Sequence, residues 1–158
     1  MSRLPDLGGR GEGWVAIQVA LLIPVVIAGW LGPAWDGPAR IVTTFMGVVL
    51  LAAGAVLAIR GSRDLGDSLT PLPHPRAEAA LVEDGVYRHV RHPIYGGIIV
   101  GGFGWALLSA SPTALGLAAV LTVFFRLKAV REEAWLTDRF PGYPAYRDRT
   151  RRFIPWIG

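Results

Sequence analysis

The chain has 158 residues, a hydrophobic fraction of 52%, a charged fraction of 18%, a formal charge of +4 and no cysteine. Its length suits one domain, and its charged share falls below the usual quarter of soluble proteins. Without cysteine, disulfides, thiolate nucleophiles and cysteine-ligated metals are excluded. The apolar residues gather in long runs. This predicts an all-α fold: a polytopic membrane bundle of about four transmembrane helices, with a cytoplasmic helical extension at the C-terminal end.

Residues 1–13 are polar and Gly-rich, and read as a mobile or surface-lying tail rather than a signal peptide. Residues 14–31 form the first apolar run, about 27 Å long as a helix. Gln18 is its one polar interruption and Pro24 is expected to kink it, while Trp14 and Trp30 suit the membrane interface. Residues 32–40 are a short turn with Pro33, Asp36, Gly37 and Pro38. Residues 41–59 are the second helix, on which Gly47 and Gly54 share a face suited to close helix approach.

Residues 60–92 form a long polar connection. Pro71, Pro73 and Pro75 force an extended stretch, residues 76–81 suit a short helical piece, and Glu83-Asp84-Gly85 is turn chemistry. Leu65, Leu69, Leu72 and Leu81 predict that this connection docks on an apolar surface. The third helix covers 94–110, with Gly97, Gly101 and Gly104 on one face. That face is either a packing seam or a flat wall for a cofactor or lipid chain. Ser111 as N-cap and Pro112 as first residue start a fourth helix that runs to 139, where Pro141-Gly142 stops it. Residues 140–158, with Arg151, Arg152 and Trp156, read as an interfacial tail.

Of the 16 Lys and Arg residues, all but Arg40 lie in the N-terminal tail, the 60–92 connection or the segment after Phe125. The positive-inside rule then puts both termini and the charged clusters on the cytoplasmic side of a membrane, expected to be a bacterial inner membrane.

Two charged clusters stand at that boundary. The first is the stretch Gly85-Val86-Tyr87-Arg88-His89-Val90-Arg91-His92-Pro93-Ile94-Tyr95-Gly96-Gly97. Pro93 suits the first turn of a helix, and Arg91 and His92 flank a helix N-terminus able to hold an anionic group. Arginines and tyrosines also anchor membrane helices at headgroup level, so anchoring is the alternative reading. The second cluster is Glu132-Glu133, adjacent carboxylates that repel unless cations compensate. Candidates are Arg88, Arg91, Arg126, Lys128 and Arg131; Arg126, seven residues before Glu133, shares its face.

The first cluster resembles the G-x-Y-x-x-x-R-H-P-x-Y-x-G signature of the isoprenylcysteine carboxyl methyltransferases, and of the related phospholipid methyltransferases. Glu132-Glu133-Ala134-Trp135-Leu136, Phe140, Tyr143, Tyr146 and Arg151-Arg152-Phe153-Ile154-Pro155 resemble that family's C-terminal pattern. The resemblance covers about Leu65 to Ile157, and the first two helices resemble nothing specific. It implies a membrane-embedded enzyme that uses S-adenosylmethionine to methylate a lipophilic or lipidated acceptor. It implies a cofactor site from Tyr87, His92, Pro93, Tyr95, Gly96, Glu132 and Glu133, with Arg91 and Arg126 toward the substrate headgroup. Glu133 is the candidate base if the acceptor is an amine; a carboxylate acceptor needs an orienting arginine instead. Membrane lipids and a homodimer are the expected partners, with no nucleic acid and no metal. A membrane reductase of the sterol-reductase type and a non-catalytic scaffold are the alternative functions.

Overall fold

The computed structural model describes residues 4–74 and 79–155. Its α-helices are α1 (Glu12–Leu31), α2 (Ala39–Leu65), α3 (Pro93–Leu108), α4 (Pro112–Arg139) and α5 (Tyr143–Arg149), with single 3₁₀ turns at Gly66–Ser68 and Gly85–Arg88. Three helices, α1, α2 and α4, are long and apolar enough to cross a membrane. The apolar α3 has 16 residues, about 24 Å of rise, and is shorter than a full span. Apolar side chains on α1 and α2 point away from the protein, among them Ile23, Val26, Ile41, Phe45 and Val56. Water would not tolerate that surface, whereas lipid is its natural solvent.

The helix starts follow local chemistry. Pro93 occupies the first turn of α3. At the start of α4 the Ser111 hydroxyl accepts from the Ala114 N–H at 3.2 Å and donates to the Ala28 carbonyl at 2.9 Å. One side chain therefore caps α4 and ties it to the end of α1.

Glycine sets the α2–α3 contact. A Cβ at Gly97 would lie 2.5 Å from the Gly54 carbonyl oxygen, and one at Gly54 would lie 2.6 Å from the Gly97 carbonyl oxygen. Gly47 and Gly104 meet in the same way two turns along. Gly47, Gly54, Gly97 and Gly104 thus form a packing seam inside the chain. Gly101 is different: no atom lies within 4 Å of a Cβ placed there.

Several expectations are corrected. The second helix does not stop at 59; it continues through Arg60–Leu65. The overrun places Asp64 to accept from the Val86 N–H at 2.7 Å and the Gly61 carbonyl to accept from the Tyr87 hydroxyl at 3.2 Å. Gly85, at φ 58°, packs so closely on Asp64 that a side chain would collide with the carboxylate. Residues 4–11 are not loose. Leu4 and Leu7 pack on the core, Pro5 accepts from the Trp14 indole at 3.2 Å, and Asp6 pairs with Arg131. Trp14 is consequently a core residue, 4% exposed and stacked at a tilt on Phe124, whereas Trp30 is 77% exposed. The expected short helix over 76–81 lies largely outside the described residues; 79–81 have no regular structure. Residues 140–155 are not a surface anchor: they contain α5, and Tyr143, Tyr146 and Thr150 are buried. The anchoring role of Trp156 lies outside the described residues.

Replacing Gly54 by Val should force α2 and α3 apart and cost roughly 1–3 kcal/mol. Thermal unfolding in detergent checks this, since Gly101→Val, which meets no neighbour, should leave the midpoint nearly unchanged.

Candidate functional site

The site begins with a strand-like rung. Val90 and Arg151 form a parallel bridge. The Arg91 N–H donates to the Arg151 carbonyl at 2.8 Å, the His92 N–H to the Arg152 carbonyl at 2.9 Å, and the Arg151 N–H to the His89 carbonyl at 2.9 Å. The C-terminal segment thereby lies along the entry to α3. Gly96 permits this, because a Cβ there would collide with the Phe153 carbonyl.

Glu133 of α4 locks the arrangement. Its Oε1 accepts from Arg91 Nε at 3.2 Å and from Arg152 Nε at 3.0 Å, and its Oε2 accepts from Arg152 Nη2 at 2.9 Å. His92 Nε2 lies 3.2 Å from the same Oε1. Arg91 Nη1 also donates to the Arg147 carbonyl at 2.8 Å and to the Thr150 carbonyl. The anion beside the start of α3 is therefore supplied by the chain itself.

Glu132 faces the other way. It accepts from the Tyr95 hydroxyl at 2.6 Å, and Tyr95 stacks on His92 with ring centroids 5.3 Å apart and planes 4° from parallel. Glu132 lines a cavity of about 350 Å³, within the usual range of small-molecule sites. Leu65 at the end of α2 and Leu69, Leu72 and Leu81 of the connection line it too, in keeping with the expected docking of these leucines on an apolar surface. Tyr87, Arg91, His92, Tyr95, Tyr143 and Tyr146 form its polar end.

Tyr143 is 1% exposed, and its hydroxyl has no hydrogen-bond partner among the described residues. Burial pushes its phenol well above the usual range, with Glu133 and Glu132 adding to the effect, so the hydroxyl keeps its proton as a donor. Tyr146 is tied instead to the Tyr87 carbonyl at 2.8 Å. Lys128, 1% exposed, also lines the cavity: its Nζ lies 5.0 Å from the centre of the Tyr95 ring and donates to Gln18 Oε1 at 2.6 Å and to the Pro71 carbonyl at 3.2 Å.

Of the residues singled out in the sequence, Tyr87, Arg91, His92, Tyr95 and Glu132 line the cavity. Glu133 stands behind them as the hub of the ion cluster. Pro93 and Gly96 shape the backbone without lining the cavity: Pro93 packs on Gly61 and Gly96 on Phe153. Arg126 is exposed and is not brought to this site. Its seven-residue spacing from Glu133 preserves the helix face, but about 10 Å along the axis the covering C-terminal segment is gone. Sequence reasoning did not assign Gln18, Tyr143 or Arg152 to the site, and it offered Lys128 only as a cation for the glutamate pair. For Gln18 the signal was present, as the one polar residue within an apolar run long enough to cross a membrane. No group of three or more metal-binding side chains occurs among the described residues.

Glu133→Gln leaves Arg91 and Arg152 facing each other without their anion. It should cost about 3 kcal/mol of stability and open the 147–152 segment to trypsin. Glu132→Gln, whose hydrogen-bond donor is the neutral Tyr95 hydroxyl and whose contact with His92 Nδ1 is longer at 3.8 Å, should cost about 1 kcal/mol or less. Thermal unfolding and limited proteolysis of the two variants check this contrast.

Comparison with known proteins agrees with this geometry. A family model described as phospholipid methyltransferase matches residues 42–142. The chain is 30% identical over 115 residues to protein-S-isoprenylcysteine O-methyltransferase B of Arabidopsis thaliana, covering 70% of this chain and 58% of that protein. It is 37% identical over 79 residues to protein-S-isoprenylcysteine O-methyltransferase of Schizosaccharomyces pombe, covering 49% of this chain and 34% of the other. It is also 37% identical over 93 residues to methanethiol S-methyltransferase 1 of Bradyrhizobium diazoefficiens, with shares of 58% and 30%. The chain thus spans 58% or less of the length of these relatives. All three are named as methyltransferases, which favours neither the reductase nor the scaffold alternative. With the model covering most of the sequence and both signature clusters gathered at one cavity, the chain belongs to the phospholipid methyltransferase family.

Proposed function

We propose that this protein transfers a methyl group from S-adenosylmethionine to a lipophilic acceptor at the membrane boundary. One observation carries the reading: the cavity lined by Glu132 and by Tyr143, whose buried hydroxyl has no partner among the described residues, meets an apolar groove at Ile98, which lines both. The methyl donor carries an ammonium, a sulfonium and a carboxylate. A carboxylate and a buried phenolic donor in one cavity suit that distribution, with Glu132 on the ammonium and Tyr143 donating to the carboxylate. When bound, the donor supplies an electrophilic methyl carbon on a positively charged sulfur.

The chain's own residues then have defined tasks. Tyr95, stacked on His92 and bonded to Glu132, fixes the direction of that carboxylate. Arg91 and Glu133 act as positioning residues that hold the C-terminal wall in place. Leu65, Leu72 and Leu81 give the cavity an apolar wall, so alignment and a partly dry site do the catalytic work.

The lipophilic half of the reading rests on the groove. It has a volume of about 310 Å³ and is lined by Leu22, Val25, Trp30, Gly101, Trp105 and Leu121, among others. Gly101 is its open floor, whereas Gly97 and Gly104 of the same face pack on α2. The family description and the names of the isoprenylcysteine relatives support a lipid or lipidated acceptor. The placement of Lys and Arg supports a cytoplasmic cavity with both termini on that side.

Calorimetric titration of S-adenosylmethionine into detergent-purified protein should show binding. Glu132→Gln should weaken it by about tenfold or more and Tyr143→Phe by roughly threefold to tenfold. No binding to the wild type, in detergent or nanodiscs, would remove the assignment. With a total membrane lipid extract as acceptor, Gly101→Leu should lower methyl incorporation several-fold while donor binding stays intact; an unchanged rate would place the acceptor's tail elsewhere.

A further inference from the structure

Residues 4–11 precede α1 and are fastened along their length. Leu4 and Leu7 pack on the core, and the Pro5 carbonyl accepts from the Trp14 indole at 3.2 Å. The Leu7 carbonyl accepts from the Gly13 N–H at 2.7 Å, and the Asp6 carboxylate pairs with Arg131. Gly11, at φ 81°, then lays the backbone against the Pro-rich connection. A Cβ there would lie 3.0 Å from the Pro73 ring and 3.3 Å from the Trp135 ring. Trp135 is itself held by the Arg131 guanidinium, 3.9 Å from its ring centre, and by the His74 ring at 5.3 Å between centroids. Pro73 is buried and also lines the cavity. One proline thus connects the N-terminal segment to the cavity wall.

The fastening is of a kind that lets go. The Asp6 side chain is 61% exposed, so water competes for its pair with Arg131 and the bond is weak. Arg131 Nε is buried without a hydrogen-bond partner among the described residues, so the pair leaves that guanidinium under-satisfied. Leu7 takes a left-handed backbone at φ 50°, which is uncommon for a residue with a side chain and is sustained by the contacts around it. The wall built from the C-terminal segment is different. There Arg91 and Arg152 bind Glu133, and the rung beside 89–92 adds backbone bonds. The apolar groove past Ile98 leads toward lipid, which does not solvate a charged methyl donor.

We propose that residues 4–11 are a strap that bears on Pro73 and keeps this wall of the donor cavity shut, with the Asp6 to Arg131 pair as its latch, and that release of the strap gates the exchange of methyl donor and product. The inference rests on the methyltransferase reading above. The strap lies outside residues 42–142, so the device belongs to a part of the chain the family model does not cover. With the strap closed, Gly11 and Trp135 back Pro73. When Asp6 leaves Arg131, Pro73 loses its outer support, and the bond from Lys128 to the Pro71 carbonyl remains as the inner tie of residues 69–74.

The chain has no cysteine, so one engineered disulfide fixes the strap without competing thiols. Pro73 Cγ lies 3.0 Å from an ideal Cβ on Gly11, which puts a Cβ at 73 within roughly the 3.5–4.5 Å that a disulfide spans. The test follows release of radiolabelled S-adenosylhomocysteine from the full chain carrying Gly11→Cys and Pro73→Cys, oxidised and then reduced. Oxidation should slow release about tenfold or more, and dithiothreitol should restore it. Strain from the substitutions is common to both states and cancels. In the otherwise unchanged chain, Asp6→Ala should speed binding and release together by roughly twofold to fivefold and leave the dissociation constant within about twofold. Equal release from oxidised and reduced protein would overturn the inference, and so would failure of the disulfide to form in folded protein. Should the double variant not fold, Asp6→Ala decides. Unchanged rates, or faster release with an unchanged binding rate, would make the segment a static support and overturn the gate. Failure of the wild type to bind S-adenosylhomocysteine or S-adenosylmethionine would instead overturn the methyltransferase reading itself.

Discussion

The carboxylate of Glu133 is the point on which the site depends. It gathers Arg91 from the entry to α3 and Arg152 from the C-terminal segment onto α4, with His92 closing the group. Two guanidinium groups this close would repel without it. With it, the last described residues run as a rung beside 89–92, and Gly96 gives that rung room. A buried ion cluster is a poor source of net stability, because desolvation offsets most of the Coulomb gain. Its value here is positional: three segments distant in sequence are brought to one wall of one cavity.

The adjacent Glu132 shows what the pairing of carboxylates achieves. Neighbouring helix positions point about 100° apart. One carboxylate therefore faces the ion cluster while the other faces the cavity, held by the Tyr95 hydroxyl. Helix geometry alone sends one of two identical side chains to the ion cluster and the other to the cavity. The cavity that results has a polar end under α5 and an apolar continuation past Ile98, which suits a polar methyl donor meeting an acceptor from lipid.

Much of this was legible in the chain. Long apolar runs marked α1, α2 and α4, while Pro93 and the Ser111-Pro112 pair marked the starts of α3 and α4. The connection leucines were read as docking residues and do line the cavity. The charged end of α2 was not legible, because hydrophobic periodicity stops at Arg60 while the helix goes on to Leu65 to meet the 85–88 turn. The short α5 was hidden behind Pro144 and a basic composition that resembles a surface anchor. Arg126 was drawn toward Glu133 by spacing along one helix, but burial depends on what covers the helix, and the cover comes from residues 147–153. Lys128 and Gln18 lie on different helices, and only tertiary structure reveals that they pair.

Amide hydrogen exchange of the full chain, with and without S-adenosylmethionine, tests the account most directly. If the donor binds in the cavity under the C-terminal wall, protection should rise together in 79–92, at the start of α3 and across 143–153, with α1 and the lipid-facing turns of α2 unchanged. Protection confined to other segments, or none at saturating donor, would contradict it.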